Sequence, residues 1–184
     1  MTLRLRAFEA IPPAVLRPFV VRRLLRHSAD AFGAGPPSSR RPRSGNELLR
    51  VYATFSDARA ELLLAGCGDL DSVQRDLWRI ADQMGRGLRR WLGVKTLGDA
   101  MVAARSVYRA LDIDLRGSPT GEVVVARCSF AAVYGPDVCA VMSALDAGLF
   151  AGLTGGRTLH FTQRITEGAP ACLASLRPTE VSAA

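Results

Sequence analysis

Four side chains in the second half of the chain could do chemistry: Cys128, Cys139, Asp146 and Cys172. A thiolate can attack an electrophile or bind a soft metal, and a carboxylate can hold a cation or take a proton. Zinc needs a tight tetrahedron of thiolate or imidazole ligands, yet no two of these cysteines form a Cys-x-x-Cys pair. Cys139 and Asp146 are seven residues apart on one expected helix, about two turns or ~10 Å of rise. They share a face but cannot both ligate one ion, so no metal is expected. Asp146 stands alone in an apolar run, on the face that carries Cys139, Ser143 and Phe150. Burying an unpartnered carboxylate costs several kcal/mol. It is therefore solvated, paired with Arg164, or facing a polar cavity. In a cavity it could orient a cationic or amidine group or act as a general base. A solvent-facing side would leave Phe150 in water and Cys139 an exposed thiol, whereas a cavity-facing side accounts for all four residues. This reading places Asp146 partly buried near Cys128 or Cys172. His160 alternates with Arg164 on one face of an expected strand. "AGLTGG" reads as a helix stop, since no Lys-Ser/Thr pair follows it. No nucleophile elbow, zinc-protease helix or dinucleotide fingerprint occurs, and no cofactor is expected.

These side chains must be positioned by an α+β arrangement: N-terminal helices, then an antiparallel sheet with one inserted helix, in a single domain. Residues 14–33 can form a short basic helix. "NELLRVYATFSDARAELLLAG" places Leu48, Val51, Tyr52, Phe55, Ala58 and Leu62 at helical spacing and stops at Gly66. A second stripe runs from Val73 to Trp91, opened by Asp71 with Gln74 in a capping-box pattern. Gly85 and Gly87 inside it each cost ~1 kcal/mol relative to alanine, which implies close packing there. A third stripe covers 97–111. "EVVVARCSF" (122–130) is β-branched and pairs with 111–117 across "GSPTG". Pro136 opens the helix that runs to Leu153. "TLHFTQRI" (158–165) and "ACLASL" supply the last two strands.

The 184 residues suffice for one substantial core. The net charge of +7 is uneven. Residues 1–46 carry nine arginines against Glu9 and Asp30, and the remainder balances to zero. A neutral body offers no footprint for a phosphate backbone, so no nucleic-acid partner is expected. The excess is read as a basic N-terminal arm and linker over 1–45, with "GPPSSRRPRSG" as the linker, ahead of a domain at 46–184. No uninterrupted apolar run approaches the ~18 residues of a membrane span. The Arg-rich, proline-broken start lacks the apolar region of a secretory signal. The expected setting is cytoplasmic, with all four cysteines as thiols. The expected partner is a small molecule, and a homo-oligomer is left open.

The spacing Cys128-Ser-Phe, Cys139, Asp146, "TQRITEG" with Gly168, and then Cys172 resembles the L-2-amino-thiazoline-4-carboxylic acid hydrolase family. "LGDAMVAARSVYRALDIDL" before "EVVVARC" looks like that family's helix-then-strand approach, and the resemblance spans roughly 70–180. Ser129 stands where proline is common in those hydrolases, and 173–176 lack the aromatic that often follows the last cysteine. The arrangement is also similar to the 4-vinyl reductase domain family of small-molecule-binding α+β proteins. The first resemblance implies hydrolysis of a thiazoline-like C=N ring. Cys128 would be the nucleophile, its thiol acidified by the following helix N-terminus. Asp146 would bind the exocyclic nitrogen or guide water, and Arg164 would clamp a carboxylate. Cys139 and Cys172 would line the pocket, with Ser143, Phe150 and His160 as further binding candidates. The second resemblance implies a noncatalytic binding module.

Overall fold

In a computed structural model, which describes residues 1–35, 37 and 44–179, six helices pack on a four-stranded antiparallel sheet. The helices are α1 (Leu3–Ala10), α2 (Pro13–Ala31), α3 (Gly45–Leu64), α4 (Leu70–Leu92), α5 (Leu97–Ala110) and α6 (Pro136–Thr154). The strands are β1 (Ile113–Gly117), β2 (Glu122–Cys128), β3 (Arg157–Gln163) and β4 (Cys172–Pro178). Their spatial order is β1-β2-β4-β3. The β1–β2 pairing and the α6 insertion follow the expected α+β plan, and the whole forms one domain.

Local chemistry explains most boundaries. Pro13 and Pro136 occupy first-turn positions, where a missing N–H is harmless. Thr96 and Asp99 cap α5 reciprocally. Helix α4 departs from its expected start. Asp69, not Asp71, caps it, accepting from the Ser72 N–H at 3.0 Å. Strand β2 alternates buried Val123 and Val125 with exposed Glu122 and Val124, as a sheet with one covered face requires.

The basic arm expected at 1–45 is, over its described residues, part of the core rather than apart from it. Leu5, Phe8 and Val21 are buried in the same hydrophobic cluster as Tyr52, Leu77 and Leu115. The Phe8 ring meets Trp91 edge-on with centroids 5.8 Å apart. The Arg17 Nε donates to the Ala110 carbonyl at 2.8 Å, and Glu9 pairs with Arg105. The reading was misled because Arg4, Arg6, Arg22, Arg23 and Arg26 face outward on two helices that bury Leu5, Phe8 and Val21 on their inner sides. Most of the expected linker lies outside the described residues.

Helix α6 sits at the centre, between α4 and the sheet. Its 19 residues are long and apolar enough to cross a membrane by length and composition, which the sequence reading missed. Half of that apolar window is buried inside the fold, so its composition matches that of a central core helix. The α4–α6 contact is made by glycines. A Cβ at Gly148 would stand 2.1 Å from the Trp78 carbonyl oxygen, one at Gly152 2.2 Å from that of Asp82, and one at Gly85 2.4 Å from that of Leu149. The close packing expected at Gly85 is present. At Gly87 nothing lies within 4 Å of an added Cβ.

Candidate functional site

On its side away from these glycines, α6 borders a cavity of about 120 Å³. Helical spacing brings Cys139, Ser143 and Asp146 to its wall, as the sequence implied. The end of β2 contributes Cys128, the start of β4 contributes Cys172, and Phe161 comes from β3. Helices α3 and α5 add Tyr52 and Tyr108, and the segment between β2 and α6 adds Phe130 and Tyr134. Val20 and Leu24 reach the wall from α2, inside the expected arm. Asp146 is the one carboxylate among the described lining residues.

The polar groups of this wall are largely spoken for. The Tyr108 hydroxyl donates to Asp146 Oδ1 at 2.5 Å. The Tyr134 and Ser56 hydroxyls lie 2.5 Å apart, and Ser56 Oγ also donates to the Tyr52 carbonyl at 2.8 Å. The Tyr52 hydroxyl lies 3.3 Å from that of Ser28. Phe130 stacks on Tyr134 and meets Tyr52 edge-on. The hydroxyls of all three phenols are thus engaged with protein partners. The second carboxylate oxygen of Asp146 has no hydrogen-bond donor among the described residues.

Burial governs the electrostatics. It raises the Asp146 pKa to about 6, against the opposing pull of the Tyr108 hydrogen bond and the Arg164 charge. Tyr108 is pushed well above its ordinary value by burial and then by the Asp146 charge. Burial lifts the Cys128 thiol to about 11, although the N–H groups of Phe130 and Ala131 favour its thiolate. This reverses the acidified thiol expected at that position. A following helical turn does lower the pKa, but desolvation and the nearby Asp146 charge outweigh it. Cys139 and Cys172 are likewise raised, burial being the largest cause. All four cysteines are free. Among the described residues no group of three or more His, Cys, Asp or Glu side chains is placed to hold a metal.

Three expected site residues lie elsewhere. Phe150 is fully buried behind the wall, its ring centroid 6.1 Å from that of Tyr108. It lies on the same face of α6 but one turn beyond Asp146, where packed neighbours rather than the cavity meet that face. His160 is exposed on the outer side of β3 and lines an open groove instead. Arg164 borders that groove, not the cavity. Its Nη2 donates to Ser143 Oγ at 3.0 Å, and its guanidinium lies 4.6 Å over the Phe161 ring. Arg164 makes no ion pair with Asp146, and its closest carboxylate oxygen is that of Glu167 at 4.0 Å. The tyrosines are what the sequence reading missed as site residues. The chain has three, and all three line the cavity. Tyr52 and Tyr108 appeared only as members of apolar stripes, although a buried phenol implies a polar partner.

No family model matches the chain, and no curated protein matches it. Among solved structures it is similar to a vinyl-4-reductase family protein from Methanocaldococcus jannaschii. The two are 11% identical, with a TM-score of 0.42, over 90% of this chain and 96% of that one. A likeness at that score does not extend to residues or activity.

Proposed function

We propose that the chain is a noncatalytic binding module for an apolar ligand of about one ring, which carries a hydrogen-bond donor such as a hydroxyl or amine. The observation that carries this reading is an aromatic-walled cavity whose one carboxylate, among the described lining residues, keeps an oxygen without a donor among those residues. A dry apolar cavity of roughly 150 Å³ is enough for benzene, so about 120 Å³ suits one small ring. A donor on that ring would satisfy the free oxygen of Asp146 and offset the cost of its burial. Titration calorimetry with benzyl alcohol and toluene tests this. Benzyl alcohol is expected to bind more tightly than toluene, and Asp146→Ala to erase the difference. Failure of both to bind at millimolar concentration would overturn the reading.

Hydrolysis of a thiazoline-like ring at Cys128 is the competing reading, carried by the sequence resemblance. It requires a thiolate, and burial holds this thiol protonated near neutral pH. Turnover of a thiazoline carboxylate that is lost in Cys128→Ser would favour the hydrolase.

A further inference from the structure

Helix α2 presents two different sides. Val20, Val21 and Leu24 face inward, and Val20 and Leu24 line the cavity. Val15, Phe19, Arg22, Arg23 and Arg26 are exposed on the other side, within about 100° of arc around the helix. Phe19 is 69% exposed and Val15 55%. An apolar side chain exposed singly is ordinary, but this ring stands among guanidinium groups that no acid answers. Among the described residues Arg22, Arg23 and Arg26 make no ion pair, and Asp30, the one carboxylate of α2, lies 4.0 Å from His27. After burial, the charges of Arg26 and Arg23 are what push the His27 pKa down. The sequence that follows the helix continues the bias, since residues 35–45 hold Arg40, Arg41 and Arg43 and no acid. The chain beyond residue 46 balances to zero, so its whole excess of positive charge lies in the segment that carries this stripe.

The pattern discriminates between occupants. A twofold pairing with a second copy would set these arginines against their like. Single-stranded nucleic acid is held in a groove by successive stacked rings, whereas this stripe is the convex side of one helix and has one ring. A bilayer surface asks only for an apolar side chain at the headgroup boundary and cations beside it. We propose that the outer side of α2 docks on an anionic lipid surface, with Val15 and Phe19 entering the headgroup region and Arg22, Arg23 and Arg26 meeting the lipid charges. The attachment is peripheral, and it stands independently of what the cavity binds. Through Val20 and Leu24 it would place the cavity wall one helix diameter from the lipid, about 10 Å.

Cosedimentation of the full chain with phosphatidylcholine vesicles, with and without phosphatidylserine, tests this. The chain is expected to bind the anionic vesicles, to bind them less as salt is added, and to leave the neutral ones in suspension. Each arginine beside an anionic surface contributes about fivefold. The triple variant Arg22→Gln, Arg23→Gln, Arg26→Gln should therefore lose roughly a hundredfold, and Phe19→Ser at least about tenfold. These side chains are exposed, so both variants should melt as the parent does. Equal binding to the two vesicle types, no binding to either, or anionic binding that survives both variants overturns the proposal. An oligonucleotide or polyglutamate bound as tightly as the anionic vesicles would give the stripe to a different partner. A monomer–dimer equilibrium abolished by Phe19→Ser would give it to a second copy. Each of those results also counts against lipid.

Discussion

The two sides of α6 are built to opposite specifications. Toward α4, Gly148 and Gly152 bring backbone against backbone, with Gly85 answering from the other helix, and no methyl group fits. Toward the cavity, Cys139, Ser143 and Asp146 stand beside empty volume and a carboxylate whose burial is unfavourable. Packing of the first kind supplies the dispersion and hydrophobic stabilisation that tolerates the second. The difference teaches that the glycine face fixes where the helix stands, and the opposite face is thereby free to carry a site.

The largest test of this contrast removes the elements that close the cavity side from outside. Deleting residues 1–45 takes away buried Leu5, Phe8 and Val21 as well as the lining residues Val20 and Leu24. The expected result is loss of cooperative thermal unfolding. A sharp melting transition in the truncated chain would show that α1 and α2 only cover a core that is complete without them.

Next in size is the glycine face itself. Gly148→Ala gains up to ~1 kcal/mol of helix propensity. It must also push a backbone carbonyl away from a Cβ that would stand at 2.1 Å, and overpacking typically costs ~1–3 kcal/mol, the upper end where backbone must shift. The net loss should appear as a lower denaturant midpoint. Gly87→Ala is the matched control in α4, with open space at its Cβ. It should stabilise by ~0.5–1 kcal/mol. Equal effects at the two glycines would abolish the distinction.

On the cavity side the sign reverses, and it depends on pH. The folded pKa of Asp146, about 6, lies above the ordinary 3.8. The native state therefore holds the proton more tightly, and stability falls as pH rises from about 4 through 6. The full shift corresponds to ~3 kcal/mol at most, and water in the cavity reduces it. Asp146→Asn can still accept from Tyr108. It should be more stable than the parent above pH 7 by ~1–3 kcal/mol, with the gap closing near pH 4. Chemical denaturation across that range measures it, and a variant less stable at pH 8 would show that Asp146 holds the fold together. Tyr108→Phe removes the hydrogen bond that favours the carboxylate, so the Asp146 pKa should move further up by NMR titration. The smallest effect belongs to Ser143→Ala, expected within ~0.5 kcal/mol by denaturant midpoint. Even so, it frees the Arg164 side chain from its anchor on α6.

The elements were largely legible because their signals are local. Alternating Val123 and Val125, the proline at 136 and the stripe from Val73 to Trp91 each mark an element without reference to distant residues. The helical face of Cys139, Ser143 and Asp146 was legible for the same reason, since 3.6 residues per turn fixes which side chains share it. Phe150 exposes the limit of that argument. It continues the same stripe, yet one turn further along α6 that face meets packed neighbours instead of the cavity, and its ring is buried beside Tyr108. The arginines of α1 and α2 hid a buried face, because charge counted along the chain says nothing of the side on which it falls.

The sequence by itself determined the α+β class, the antiparallel hairpins, and the grouping of three thiols and one carboxylate beside α6. Only the tertiary structure decided that α1 and α2 belong to the core, that three tyrosines rather than Phe150 and His160 form the wall, and that Cys128 is a buried thiol. Whether a side chain meets a void, a neighbour or water depends on distances between helices. Those distances are set by contacts such as Gly148 on Trp78, between residues 70 positions apart in the chain. A pKa such as that of Asp146 is likewise a sum over everything packed around it, which no single stretch of sequence contains.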